Sequence, residues 1–413
     1  MNFKHYILQN IIYLLRSSST SFQKLQTGLM IKPLPLENIR VIEMSHMIMG
    51  PSCGMMLAQL GAEVIKIEPP KGDKTRGLKG MGTAFFPLFN RGKRSIVLDL
   101  TQTKDRDTFD ALLATADVFV ENFRDGQLEK HGINVETLRE KYPELIIAGH
   151  KGFLSGPYEH RPALDEVVQM MTGLAMMTGS LEQPKRVGSS ANDIMGGMFG
   201  VIGILAALFE RQKTGQGKDI RIGLFENCLF MVAQHMVQYD MTAVPSVPMP
   251  DRVHAWPIYD TFNTRDAQKI FIGVVTDGHW LSFCQTYDLA TFLDDPRLQN
   301  ATDRIDARAW TVPIVAEKMS NQDIADLEAT LDRLNIPFSR INRPEDMFED
   351  PHVLRDGGLV TATDVDGKKF RAPALPIELN GQSLGADLIV PKLGQHTADV
   401  LAELGVPKGA GGD

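Results

Sequence analysis

From residue 41 to residue 149 the chain alternates short apolar runs with stretches of helical spacing, and this rhythm constrains the fold more than any other feature. Val41–Met44, Glu63–Glu68, Ser95–Asp99, Asp117–Glu121 and Leu145–Gly149 read as strands. Ser52–Leu60, Lys104–Thr115 and Val135–Lys141 read as the helices between them, with Phe109, Leu112 and Leu113 on one face of the second. Short strands with little polar alternation are buried on both faces, as in a parallel sheet covered by helices. The predicted architecture is therefore α/β and Rossmann-like, with ligands at the carboxyl ends of the strands where the strand order reverses. A dinucleotide fingerprint is absent: Gly50-Pro51-Ser52-Cys53-Gly54, read here as a turn, has the wrong spacing, which disfavours a nicotinamide or flavin enzyme.

Length points to more than one domain, since 413 residues exceed an ordinary single core. Pro245, Pro248, Pro250 and Pro257 mark a linker. Beyond it, Tyr259–Phe262 and Lys269–Gly273 read as an antiparallel hairpin, followed by helices to about residue 335 and a strand within Ile336–Pro344. The expected division is an N-terminal extension over 1–33, a large domain from 34–225 and 340–413, and a smaller inserted α+β unit over 226–339. The extension is basic and Ser-rich, with no acid before Glu37; it reads as a presequence, a disordered tail or an over-long start before Met30. A presequence implies the mitochondrial matrix; without one, the three scattered cysteines Cys53, Cys228 and Cys284 suit a reducing cytoplasm and no disulfide framework or zinc site. A net charge of −8 argues against a nucleic-acid surface. Ile194–Phe209 is apolar throughout but shorter than the ~20 residues of a membrane span, so a buried helix is expected.

Several strings, taken in order, are specific. Pro35–Val41, Gly50-Pro51, Leu57–Glu68, Asn90–Ser95, Val120–Arg124, Gly152–Pro157, Arg211–Gly217 and Gly394–Thr397 resemble the successive signatures of the family III CoA-transferases, from about Pro35 to Val406. The family includes formyl-CoA transferase, carnitine and dicarboxylate CoA-transferases, and α-methylacyl-CoA racemases. The resemblance implies an interlocked homodimer and reversible transfer of CoA from an acyl-CoA to a free carboxylic acid. Succinyl-CoA and a dicarboxylate acceptor are expected from the family's range. CoA and acyl-CoA are then substrates, and no metal or redox cofactor is implied.

The nucleophile implied by the resemblance is Asp193, in Ser189-Ser-Ala-Asn-Asp-Ile-Met-Gly-Gly. It reads as the N-cap of the apolar helix, where backbone N–H groups and the helix dipole favour the carboxylate anion. An ordinary capping aspartate fits the same string. The glycines that follow it, from Gly196 to Gly203, read as close helix packing. Asp165 stands where formyl-CoA transferase has a glutamate, and is either a partner acid or the cap of a helix starting at Glu166. Racemases carry a His-Asp pair there; Leu164 replaces that His, which disfavours the racemase alternative. A non-catalytic CoA-binding protein is a further alternative that leaves Asp193 without a purpose. For CoA, the resemblance points to Lys93 and Lys130 at the nucleotide, Asn122 and Phe123 along the pantetheine, and Met47 and Ile48 beside the thioester. Lys66, Arg94 and Arg124 are further cations at or after strand ends. Where Ile48 stands formyl-CoA transferase has Gln, which counts against oxalate-like substrates. His254 and Trp256 replace that enzyme's glycine-run loop and are candidates to shape the acid pocket.

Overall fold

The computed structural model describes residues 34–405 except 253 and 385–387, so the N-terminal extension lies outside the described residues. The central sheet contains β1 (Arg40–Met44), β2 (Glu63–Glu68), β3 (Arg94–Val97), β4 (Val118–Glu121), β5 (Ile146–Lys151) and β6 (Asp219–Gly223). Its order is β3-β2-β1-β4-β5-β6 with every pair parallel. This is the Rossmann order, and it reverses between β1 and β4.

Helices cover both faces because both faces are apolar. On one side α1 (Met49–Gln59) and α4 (Ala191–Thr214) enclose a core with Val41, Leu57, Val118, Ile146 and Ile204. On the other, α2 (Thr103–Leu113) packs Phe109 and Leu112 on Ile42, Ile65 and Phe119. Between β5 and α4 lies the short α3 (Asp165–Met171), and α5 (Leu224–Thr242) follows β6. The expected turn at Gly50-Pro51 is instead the first turn of α1, where a proline leaves no intrahelical N–H unmade. α4 runs 24 residues, longer than its apolar run, and by length and composition alone is long enough to cross a membrane. It packs one glycine-rich face into the core.

The smaller unit has its own core around Ile258, Ile272, Trp280, Phe283 and Leu327. An antiparallel sheet of β7 (Ile258–Asn263), β8 (Lys269–Val274) and β9 (Phe338–Arg340) carries it, so the predicted hairpin is present with a third strand. All of helix α5 but its first two residues falls in the 226–339 span assigned to this unit, yet its Cys228 joins the first core with Leu224 and Ile204. Its sequence lacks the proline punctuation that begins only at Pro245. The C-terminal helix α6 (Thr397–Glu403) returns to β3: Ser95 N–H donates to His396 Nδ1 at 3.0 Å, Val97 N–H donates to Thr397 Oγ1 at 3.1 Å, and Val400 is buried among the residues of that face. The C-terminal segment thus packs on the outer strand of the same sheet that residues 40–223 form.

Candidate active site

Two cavities open at the carboxyl ends of the strands, on either side of the switch point, and share His46 and Phe123. The first, ≈ 310 Å³, brings together Met47, Asn122, Phe123, Arg124, Asp165 and Asp193 from among the predicted residues. No serine, threonine or cysteine lines it. The second, ≈ 660 Å³, lies over β1, β2 and β3, between Pro70, Leu98 and Leu100, with Lys71, Lys74 and His131 at its edge.

Asp193 is not the N-cap. Ser190 holds that place, and Asp193 sits in the first turn of α4. Burial, then the nearby Asp165 carboxylate, push its pKa up to about 7, while Arg186 pulls the other way. Burial and a second acid therefore oppose the helix terminus, which was expected to keep Asp193 ionised. Asp165 is buried as the first residue of α3 and is also raised, chiefly by burial. Gln169 Nε2 donates to its Oδ1 at 2.8 Å, and Arg186 stands 3.6 Å from its Oδ2. Gln169, fully buried, also accepts from Val187 N–H at 2.9 Å, tying α3 to the segment that leads into Asp193. Asn192 donates to Leu224 O and accepts from Asn227 Nδ2 at 2.6 Å, which fixes the first turn of α4 against α5.

Glycine lets α4 approach closely enough to do this. A Cβ on Gly197 would lie 2.1 Å from Ser52 Oγ, and one on Gly200 2.4 Å from His150 Nε2. His150 is buried with both ring nitrogens lacking a hydrogen-bond partner, and burial drives its pKa down to about 4. Facing Asp193, the turn after β1 is clamped by Asn122, whose Oδ1 accepts His46 N–H at 2.9 Å and whose Nδ2 donates to His46 O at 2.6 Å. Met47 follows with φ 62 and its side chain half exposed at the cavity. Ile48 faces away, buried against Met55 and Phe89.

Four predicted CoA cations line neither cavity. The parallel register sets Glu43 of β1 opposite Lys66 of β2, and Glu43 reaches both Lys66 (3.3 Å) and Lys93 (2.6 Å) in the interior. Lys66 also pairs with Asp73 at 3.1 Å, and Lys93 donates to Pro51 O at 2.9 Å. Both lysines are buried, so they brace β1, β2 and the start of α1 instead of meeting solvent phosphates. Arg94 lies at the amino end of β3, paired with Glu63 and Glu403, opposite the ligand end of the sheet. Lys130 is exposed on a one-turn helix beside His131 but lines neither cavity. His254 and Trp256 also lie outside both linings.

Lys71, Lys74, Lys151 and Arg161 were not singled out from sequence, although each lies in or just after a strand end or the loop following one, the rule that selected Arg124. Lys151 donates to Phe123 O and pairs with Glu121 at 2.8 Å. Among the described residues, no group of three or more His, Cys, Asp or Glu is placed to hold a metal ion.

An open parallel sheet with two neighbouring carboxylates of raised pKa at its switch point, in a cavity lined by no serine, threonine or cysteine, suits an α/β enzyme that handles acyl groups through a carboxylate. Residues 36–397 match CoA-transferase family III, and the chain belongs to that family. It is 32% identical to a succinate–glutarate CoA-transferase from Agrobacterium fabrum, over 90% of this chain and 96% of that one. It is 30% identical to a succinyl-CoA–D-citramalate CoA-transferase from Chloroflexus aurantiacus, over 90% and 94%. The crystal structure of a CAIB/BAIF family protein from Brucella suis superposes with TM-score 0.81 at 31% identity, covering 90% of this chain and all of that one.

Proposed function

We propose that this enzyme transfers CoA reversibly from succinyl-CoA to a second dicarboxylate through intermediates on Asp193. The observation that carries this reading is the position of Asp193, at the start of α4 in the cavity that also holds Asp165, with no serine, threonine or cysteine in the lining. The two relatives named above act on dicarboxylates or their CoA esters, which supports the substrate class.

The Asp193 carboxylate attacks the succinyl carbonyl; the C–S bond breaks and CoA thiolate leaves a mixed anhydride. The thiolate attacks the aspartyl carbonyl, releasing succinate and leaving an aspartyl-CoA thioester. The acceptor carboxylate displaces thiolate from that thioester, and the thiolate then attacks the acceptor carbonyl, restoring Asp193. No net proton moves, so the protein's work is positioning. Asp165 orients the incoming carboxylate or holds a proton while Asp193 is ionised. The larger cavity suits the nucleotide, with apolar walls for the adenine and the exposed Lys71 and Lys74 for phosphate. The exposed Leu164 at the cavity leaves a racemase without its second acid/base group. We also propose a homodimer, supported by the exposed apolar faces of α4 and α5.

Asp193→Ala is expected to abolish transfer while acyl-CoA still binds. Hydroxylamine, after incubation with succinyl-CoA, is expected to leave a hydroxamate at Asp193, read by peptide mapping. Turnover at the wild-type rate in the variant, or modification at Asp165 alone, reassigns the nucleophile.

A further inference from the structure

We infer that Arg161 recognises the distal carboxylate of the dicarboxylate and sets the enzyme's preference for diacids over monoacids. This rests on the transfer reaction proposed above and names the residue behind its substrate class. Three strong cations line the smaller cavity: Arg124, Lys151 and Arg161. Lys151 is committed, to Glu121 at 2.8 Å and Asp125 at 3.6 Å. The acids Asp125 and Glu159 in the lining are met by Arg221, at 3.5 Å and 2.7 Å. Asp165 has Arg186 at 3.6 Å, and Asp193 is the attacking group. Arg124 and Arg161 remain as guanidinium groups with no ion-pair partner among the described residues.

Their positions separate them. Arg124 follows Phe123, which lines both cavities and so stands on the path between them. Arg161 comes from a different segment of the lining, the loop after β5, four residues before Asp165. Its guanidinium sits 4.8 Å from the Tyr158 ring centroid, and Tyr158 packs edge-on against Phe153 and Phe225. An aromatic face orients a guanidinium without using any of its N–H donors. The exposed side chain rests beside the ring with its fork unspent, and a carboxylate is the planar partner that fork fits. CoA already carries the nucleotide charges at the far end of the pantetheine. What remains near the two acids is the substrate's own second carboxylate.

The test is competition between glutarate and pentanoate, which has a methyl in place of the distal carboxylate, with succinyl-CoA as donor and the two CoA esters quantified by mass. Both acids meet the same aspartyl-CoA intermediate, so the product ratio is independent of the donor half-reaction. In Arg161→Leu the glutarate-to-pentanoate ratio is expected to fall about 100-fold, with Arg161→Lys between it and the wild type. Arg124→Ala is expected to slow both products equally and leave the ratio unchanged. An unchanged ratio in Arg161→Leu, or an equal shift in Arg124→Ala, overturns the inference. A wild-type enzyme that makes neither ester, or only pentanoyl-CoA, instead overturns the proposed reaction.

Discussion

Asp193, the nucleophile we propose, sits in surroundings that discourage its charge. Its pKa of about 7 lies well above the ordinary 3.8, so the folded protein binds more protons than the unfolded chain between those values. Stability therefore falls as pH rises through that window, and the penalty is fully present above pH 7. Asp193→Asn removes it. The variant is expected to be more stable than wild type at pH 8, by roughly 1–2 kcal/mol after allowing for the group's partial exposure, and no more stable at pH 4. Thermal melts at the two pH values check this; an equal or lower melting point at pH 8 removes the argument. The same protonation gives kcat/KM for succinyl-CoA an ascending limb near pH 7. His150 works in the opposite sense: its pKa of about 4 lies below 6.5, so the unfolded chain takes up the proton first and stability drops on acidification from pH 6.5 towards 4. Sequence singles out Asp193 only through the family resemblance, since an ordinary capping aspartate fits the same string. It could not show that Lys66 and Lys93 share Glu43, because that depends on the pairing of β1 with β2. Read along the chain, each lysine stands at or near a strand, as a phosphate-binding cation would.

Among the elements, α4 governs the site. It lies against α1 and β5 so closely that two of its residues must lack a Cβ, and this closeness brings Asp193 to the switch point. Gly200→Ala puts a methyl 2.4 Å from the imidazole of His150 and 3.0 Å from Cys53 Sγ. The expected cost is about 1–3 kcal/mol of stability, with transfer impaired more than the melting point suggests because Asp193 moves with the helix. Chemical denaturation alongside steady-state kinetics distinguishes this from simple loss of fold. Five of the six strands of the sheet were legible because buried parallel strands are runs of Val and Ile, and Glu63–Glu68 was delimited to the residue; β6, where Asp219 and Arg221 alternate with isoleucines, was not. Helix starts were less so. The first turn of α1 contains Gly50-Pro51, a pair equally at home in a turn, and the N-cap of α4 could fall on any of several small polar residues between Ser189 and Asp193. Capping is decided by backbone angles that packing sets.

At the scale of the molecule, the outer faces of α4 and α5 leave Ile202 58%, Phe209 61%, Phe230 67% and Tyr239 55% exposed. A contiguous apolar surface of this kind is rare on a monomer. We propose a second copy as its cover, in keeping with the homodimer the family resemblance implies. Light scattering is expected to give twice the chain mass of 45.8 kDa, and Phe230→Glu to lower it. A monomer at micromolar concentration refutes the proposal. Fold class and family were readable from the order of motifs. The place of α5 was not, because its sequence is a plain apolar helix and only its neighbours show which core it joins.

The return of α6 to β3 has a consequence for synthesis. Until His396 and Thr397 emerge, the N–H groups of Ser95 and Val97 lack their acceptors, and β3 is the outer strand of the sheet. The nascent chain must therefore carry an open strand edge while the whole inserted unit is translated and folds. Such an edge pairs readily with other chains. A ribosome that stalls late, or a protease that clips the tail, leaves a sheet with every active-site residue in place and an adhesive border.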